Sequence, residues 1–188
     1  MTEQELRDPK RKPSHEGVLR AMKKIAAILP PTPLLPLEVD GTTIWCKAEM
    51  LQPIGAFKIR GAWNRLTDLT DEERARGVVA VSSGNHAQGV AWAAQRLDIA
   101  ATIIMPENAP KAKIEATRGY AAEVVLYQRP GQDRDAIAAE LIARTGATLV
   151  HPFGDPWVME GQGTLGLEAK AQLKARGVEG PLHIIACC

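Results

Sequence analysis

The sequence predicts an α/β fold built on an open parallel sheet with helices on both faces. From Gly77 to Phe153, short β-rich runs alternate with longer Ala-rich helical stretches. The order is "VVAVSS", "NHAQGVAWAAQRL", "ATIIMP", "KAKIEATRGY", "AEVVLY", "DRDAIAAELIARTG", "ATLVHPF", a βαβαβαβ succession. The β runs are also almost continuously apolar, as strands are when helices cover both faces of their sheet.

The flanks extend this pattern. Upstream, "TTIWCKAEM" reads as a strand and "FKIRGAWNRLTDL" as a helix with Ile59, Ala62, Trp63 and Leu66 on one apolar face. Within the repeating block, Asp133 suits a helix start and Gly146 suits a left-handed residue after Thr145, and just after it Asp155-Pro156 pairs an N-cap with a proline at N1. Downstream, "WVMEGQGTLGLEAKAQLKARG" reads as a helix ending at Gly177, and "LHIIACC" as a last buried strand. Loops at the carboxyl ends of parallel strands commonly carry ligands. A strand running to the final residue therefore reads as a chain cut at a functional edge.

Composition narrows the function. With 188 residues, 45% of them hydrophobic and 24% charged, the chain can bury a real core as one large domain or two small ones. Its 23 basic and 22 acidic residues leave a net charge of +1, which gives no field to attract nucleic acid or an anionic membrane. The first residues are polar and lack an apolar signal-like stretch, and no apolar run nears the roughly 20 residues of a membrane span. Three cysteines, Cys46, Cys187 and Cys188, without framework spacing suit a reducing compartment. The expectation is a cytoplasmic protein whose partner is a small molecule or another protein chain.

Four candidate chemistries follow. "SSGNHAQG", Ser82 to Gly89, leaves a strand and opens a helix, where backbone N–H groups bind phosphate or carboxylate. Position alone leaves an anion site and a simple capped turn both open. "GQGTLG", Gly161 to Gly166, matches the dinucleotide fingerprint, but Asp155-Pro156 has already started that helix, so the glycines fall inside it. Interior glycines cost about 1 kcal/mol each relative to alanine, which predicts close packing against a neighbour or a bound group instead of a nucleotide cradle. His15, His86, His151 and His183 are scattered and no Cys or His pair has ligand spacing, so no metal is expected. Lys58, in "GAFKIRGA", has apolar neighbours in Phe57 and Ile59 and a positive one in Arg60. Desolvation or a nearby cation turns a lysine into a nucleophile; residue chemistry alone leaves the nucleophile and a solvated cation both open.

Taken together, "TPLLPL", "KAEMLQPIGAFKIRGAWN", "VSSGNHAQGVA", "IIMPENAPKAKIEAT" and "HPFGDPWVMEGQGTLGLE" resemble, in order, the fold-type II pyridoxal-phosphate enzymes. The resemblance is to the serine/threonine dehydratase and serine racemase family. It implies that Lys58 forms the Schiff base with pyridoxal 5'-phosphate, that Phe57 packs near the cofactor ring and that Asn85 hydrogen-bonds its phenolic oxygen. It implies that Ser82, Ser83, Gly84 and His86 line the pocket for the substrate α-carboxylate, and that Gln162, Gly163 and Thr164 lie near the active-site wall. It also implies a two-domain architecture, with residues 77–152 as a small αβ domain between a first part of the large domain (1–76) and an incomplete second part (153–188).

Two departures from the family pattern stand out. Ala56 occupies a position where the family commonly has serine. The glycine-rich loop that holds the cofactor phosphate in relatives does not follow "HIIACC", so the chain reads as truncated. The resemblance implies a dehydratase that converts L-threonine or L-serine to a 2-oxo acid and ammonia, homo-oligomeric when intact. Its alternatives are a serine racemase or a catalytically silent fragment.

Overall fold

The computed structural model describes residues 3–180 and 183–185. Helices α1 (Glu3–Arg7) and α2 (His15–Ala26) precede an antiparallel hairpin of β1 (Leu34–Val39) and β2 (Thr42–Lys47), a 3-10 turn at Glu49–Leu51, and helices α3 (Lys58–Thr67) and α4 (Asp71–Arg76). Then come β3 (Val78–Val81), α5 (Asn85–Arg96), β4 (Ala101–Pro106), α6 (Lys111–Gly119), β5 (Glu123–Tyr127), α7 (Arg134–Thr145), β6 (Thr148–Leu149) and the long α8 (Pro156–Lys174).

Strands β3 to β6 form one sheet in the order β5-β4-β3-β6, and every pairing is parallel. Side chains of successive strand residues point to opposite faces, and two packed clusters divide accordingly. Val78, Ala80, Ile103 and Met105 pack toward α5 and α6, with Ile59 and Leu66 of α3, Ala21 and Ile25 of α2 and Val158 of α8 in the same cluster. Val79 and Ile104 face the other way, onto Ala138, Ile137, Leu141 and Ile142 of α7. The sheet is therefore covered on both faces, as its apolar strands predict. Inner strands β3 and β4 are nearly all buried, whereas β5, at the sheet edge, is half-exposed.

Local signals account for several boundaries. Asp133 accepts from the amides of Asp135 and Ala136, and Gly146 closes α7 at φ 69°. Asp155 accepts from Trp157 and Val158 with Pro156 in the first turn, and Thr70 and Glu73 form a reciprocal capping box on α4. In the hairpin, Asp40 and Gly41 both take positive φ, 48° and 73°, the geometry that favours Asp-Gly in a two-residue turn.

One expectation is corrected. Of the segment read as a last buried strand, His183, Ile184 and Ile185 carry no strand, and both isoleucines are almost fully exposed. A strand exists only where a neighbour accepts its backbone hydrogen bonds, and none of the described strands lies alongside. The remaining residues of that segment, Cys187 and Cys188 among them, fall outside the described residues.

Of the interior glycines of α8, Gly161 and Gly163 mark close packing, and Gly166 does not. A Cβ on Gly161 would stand 2.6 Å from the Gly61 Cα and 2.7 Å from the Arg60 carbonyl oxygen, so α3 and α8 touch backbone to backbone there. Gly166, in the same helix, faces open space. Gly161→Ala is expected to destabilise by about 1–3 kcal/mol through overpacking, and Gly166→Ala to stabilise by roughly 1 kcal/mol through helix propensity. Urea unfolding midpoints that move in the same direction for both variants contradict this account.

Candidate active site

The sheet's connections part at β3. The chain leaves β3 through α5 toward β4 on one side, and returns from β5 through α7 to β6 on the other. Such a switch point opens a crevice beyond the carboxyl ends of the two strands. Ser82, Ser83 and Gly84 follow β3 directly, and Val150 to Pro152 follow β6.

Lys58, the first residue of α3, reaches into this crevice. Its Nζ donates to the Pro152 carbonyl at 2.9 Å and lies 5.2 Å from the centre of the Phe57 ring. The α3 backbone is brought here by Gly89 of α5, where a Cβ would stand 3.2 Å from the Lys58 carbonyl. Partial burial holds the Lys58 ammonium below its usual pKa. Its partner is a carbonyl, which accepts a hydrogen bond without supplying the negative charge that would favour the ammonium.

Arg60 does not act on Lys58 as its place in the sequence suggests. Its fully buried guanidinium uses all five donors: Nε and Nη2 on Glu49, Nη1 and Nη2 on Glu168, and Nη1 on Thr164. Burial opposes the Arg60 charge, but hydrogen bonds and the charges of both carboxylates outweigh it and raise its pKa. Lys47 closes the cluster on Glu168 at 2.8 Å, leaving two positive and two negative groups in balance.

On the other wall, Gly84 caps α5 and no side chain accepts from the first-turn amides. The Ser82 hydroxyl accepts the Gly84 N–H at 3.2 Å, while Ser83 and Asn85 are exposed. Asn85 Oδ1 accepts from Lys113 Nζ of α6 at 2.8 Å. His86 is buried, and its Nε2 donates to the Val150 carbonyl at 2.9 Å, which leaves Nδ1 as a bare acceptor. Nδ1 has no protein partner. Phe57, Lys58, Ser82, Ser83, Gly84, Asn85 and His86 thus share one crevice with Val150, Pro152 and Lys113.

Gln162 and Thr164 turn elsewhere: Gln162 Oε1 accepts from the Gly61 amide and Thr164 binds Arg60, both at the α3/α8 contact. The sequence reading missed the Pro152 carbonyl, a backbone atom without a signature. It also missed Lys113, although "APKAK" lies within one of the segments that carry the resemblance.

Burial holds the His86 imidazole neutral, lowering its pKa from 6.5 to about 4; Lys58 and His151 reinforce the shift, and the hydrogen bond to Val150 opposes it. An unfolded chain takes up this proton near 6.5, so between 6.5 and 4 the unfolded state binds more protons than the folded one. Stability is therefore lost as pH falls through that window, by about 3 kcal/mol from this group. His86→Gln keeps a donor for Val150 but does not titrate. Its unfolding free energy is expected to fall less steeply than wild type over that range, and parallel pH profiles contradict the assignment.

A family model described as "Pyridoxal-phosphate dependent enzyme" matches residues 25–188, and the chain belongs to this family. It is 52% identical over 136 residues to an L-threonine ammonia-lyase of Thermotoga maritima, covering 72% of this chain and 34% of that protein. It is 43% identical over 170 residues to an L-threo-3-hydroxyaspartate ammonia-lyase of Saccharomyces cerevisiae, covering 87% of this chain and 52% of that one. Among solved structures, a threonine deaminase from T.th. superposes with a TM-score of 0.81 at 43% identity, over 89% of this chain and 54% of that one. Maize serine racemase superposes with a TM-score of 0.83 at 35% identity, over 87% and 51%. The fold is that of the fold-type II enzymes, and the chain spans about a third to a half of the length of these relatives.

The crevice suits the family's cofactor, pyridoxal phosphate. It offers a primary amine shifted by burial toward its neutral form, uncommitted Asn85 N–H donors, and the unpartnered buried Nδ1 of His86.

Proposed function

We propose that the protein is a pyridoxal-phosphate-dependent ammonia-lyase converting L-threonine or L-serine to a 2-oxo acid and ammonia. The observation that carries this reading is the desolvated Lys58 amine, set in one crevice with an α5 amino terminus that no side chain caps. The relatives called threonine ammonia-lyase and threonine deaminase support it.

In this reading Lys58 holds the cofactor, Phe57 packs beside its ring and Asn85 donates to its phenolic oxygen. When bound, pyridoxal phosphate supplies an electron sink for charge developing at the substrate Cα. The first-turn amides of α5, with Ser82, Ser83 and Gly84, bind the α-carboxylate through the partial positive charge of a helix start. His86 keeps that pocket free of a competing proton because its imidazole is neutral. Lys58 Nζ, oriented by the Pro152 carbonyl, takes the Cα proton once it is neutral and free. We also propose that residues 77–152 act as a small domain between the flanking segments, and that the enzyme is cytoplasmic and homo-oligomeric, the unframed cysteines supporting a reducing compartment.

The test is incubation of the cofactor-loaded protein with each L-amino acid. Equal amounts of 2-oxo acid and ammonia are expected. The likeness to maize serine racemase favours a second reading, in which the proton returns to the opposite face. D-serine formed without ammonia selects that reading over the lyase.

A further inference from the structure

Lys113 stands outside the segment that carries Lys58 and outside the turn after β3. It projects from α6 across the start of α5. Its Nζ donates to Asn85 Oδ1 at 2.8 Å. A Cβ on Gly84 would stand 3.1 Å from that Nζ and 3.5 Å from the Lys113 Cδ, so the side chain lies over the Gly84 turn in space that a larger residue would reduce.

An ammonium has three donors and no acceptor. It can therefore hold only the oxygen end of the Asn85 carboxamide, and this contact decides which way round the amide sits. A freely turning carboxamide would offer an incoming group either its acceptor or its donors; one held by Lys113 offers donors. An anionic oxygen in the crevice needs donors and is repelled by an amide oxygen.

We infer that Lys113 is a positioning residue that fixes the donor sense of Asn85 toward the phenolic oxygen of the cofactor. The inference rests on the proposed cofactor role of Asn85. Lys113 does not touch the cofactor in this scheme; it acts through Asn85.

A double-mutant cycle in the full protein tests this. Lys113→Glu reverses the clamp, since a carboxylate accepts from the amide nitrogen and turns the oxygen inward. It is expected to raise the pyridoxal-phosphate dissociation constant by about tenfold, the scale of one charge-assisted hydrogen bond. It should also raise the pH at which the absorption band of the bound cofactor changes. Lys113→Arg keeps the donor and should restore both values to near wild type. In an Asn85→Ala background, Lys113→Glu is expected to change neither quantity further.

Equal effects in both backgrounds overturn the inference, because Lys113 then acts without Asn85. Unchanged affinity and unchanged band position in the single variant also overturn it. Thermal melts of each variant separate these effects from loss of fold. If Lys58→Ala retains a borohydride-trappable cofactor adduct, the cofactor reading itself falls and the inference falls with it; a wild-type-like Lys113→Glu in a protein whose adduct depends on Lys58 defeats the inference alone.

Discussion

Lys58→Ala is expected to abolish the borohydride-trappable cofactor adduct and to reduce turnover to background while leaving the fold intact. The prediction is this severe because the crevice brings together one desolvated amine and no substitute. His86 offers a neutral imidazole that cannot form the same linkage, and Lys113 is committed to Asn85. The fold should survive because Lys58 is only half-buried and loses a single described hydrogen bond, to the Pro152 carbonyl. Removing one partner of an ordinary hydrogen bond costs on the order of 1 kcal/mol, well within the stability of a typical domain. Mass spectrometry after reduction would locate the adduct. A labelled peptide in the alanine variant would place the linkage on another lysine and end the assignment.

The second large effect concerns stability. Arg60→Met is expected to cost about 3–5 kcal/mol, the usual penalty for stranding buried charges. Removing the guanidinium leaves Glu49 and Glu168 facing each other with Lys47 as the remaining buried cation. Glu168 now sits below the usual carboxylate range: burial works against its charge, but its bonds to Arg60 and Lys47 prevail. Without Arg60 that balance reverses, and the carboxyl should take up a proton at higher pH. The deficit should therefore shrink as the medium is acidified, because a carboxyl freed of its cation protonates more readily. Lys at position 60 has one charge but cannot reproduce the fork that reaches both carboxylates. Denaturant unfolding at two pH values checks both statements, and a loss below about 1 kcal/mol at neutral pH would contradict them.

The reasons for what was and was not legible in the sequence are physical. The alternating elements from Val78 to Leu149 could be read because apolar periodicity is set by local geometry and by two covered faces. Caps at Asp133, Gly146 and Asp155 could be read because a cap involves residues two to four apart. The same holds for Gly161 and Gly163 of α8, whose helical setting points to a close neighbour, though not for Gly166, which faces open space. Asp40-Gly41 carries an equally local turn signal, and Ser14 an N-cap signal for α2.

Arg60 shows where local reading fails. Its neighbours in the sequence suggest a cation beside Lys58, but its partners lie 11 and 108 residues away and draw the charge into the α3/α8 contact. Lys113 and Asn85 are 28 residues apart, and no periodicity relates them. The expected strand near His183 failed for the complementary reason. An apolar run states only that a segment could be buried; pairing requires a neighbour that the run does not name.

The switch point between β3 and β6 also bears on how the crevice comes into being. Lys58 and the carbonyl that orients it are separated by 94 positions, and His86 and its carbonyl by 64. Contacts across such distances must meet a loop-closure cost before they return any stabilisation, so they form late. Helices α3 and α5 can settle early, but Lys58 and His86 stay unanchored until the chain has gone out to β5 and come back. A nascent chain stalled before Pro152 would carry the Lys58 amine with no carbonyl to aim it. The proposed cofactor crevice is then assembled in one step, at the docking of a two-residue strand.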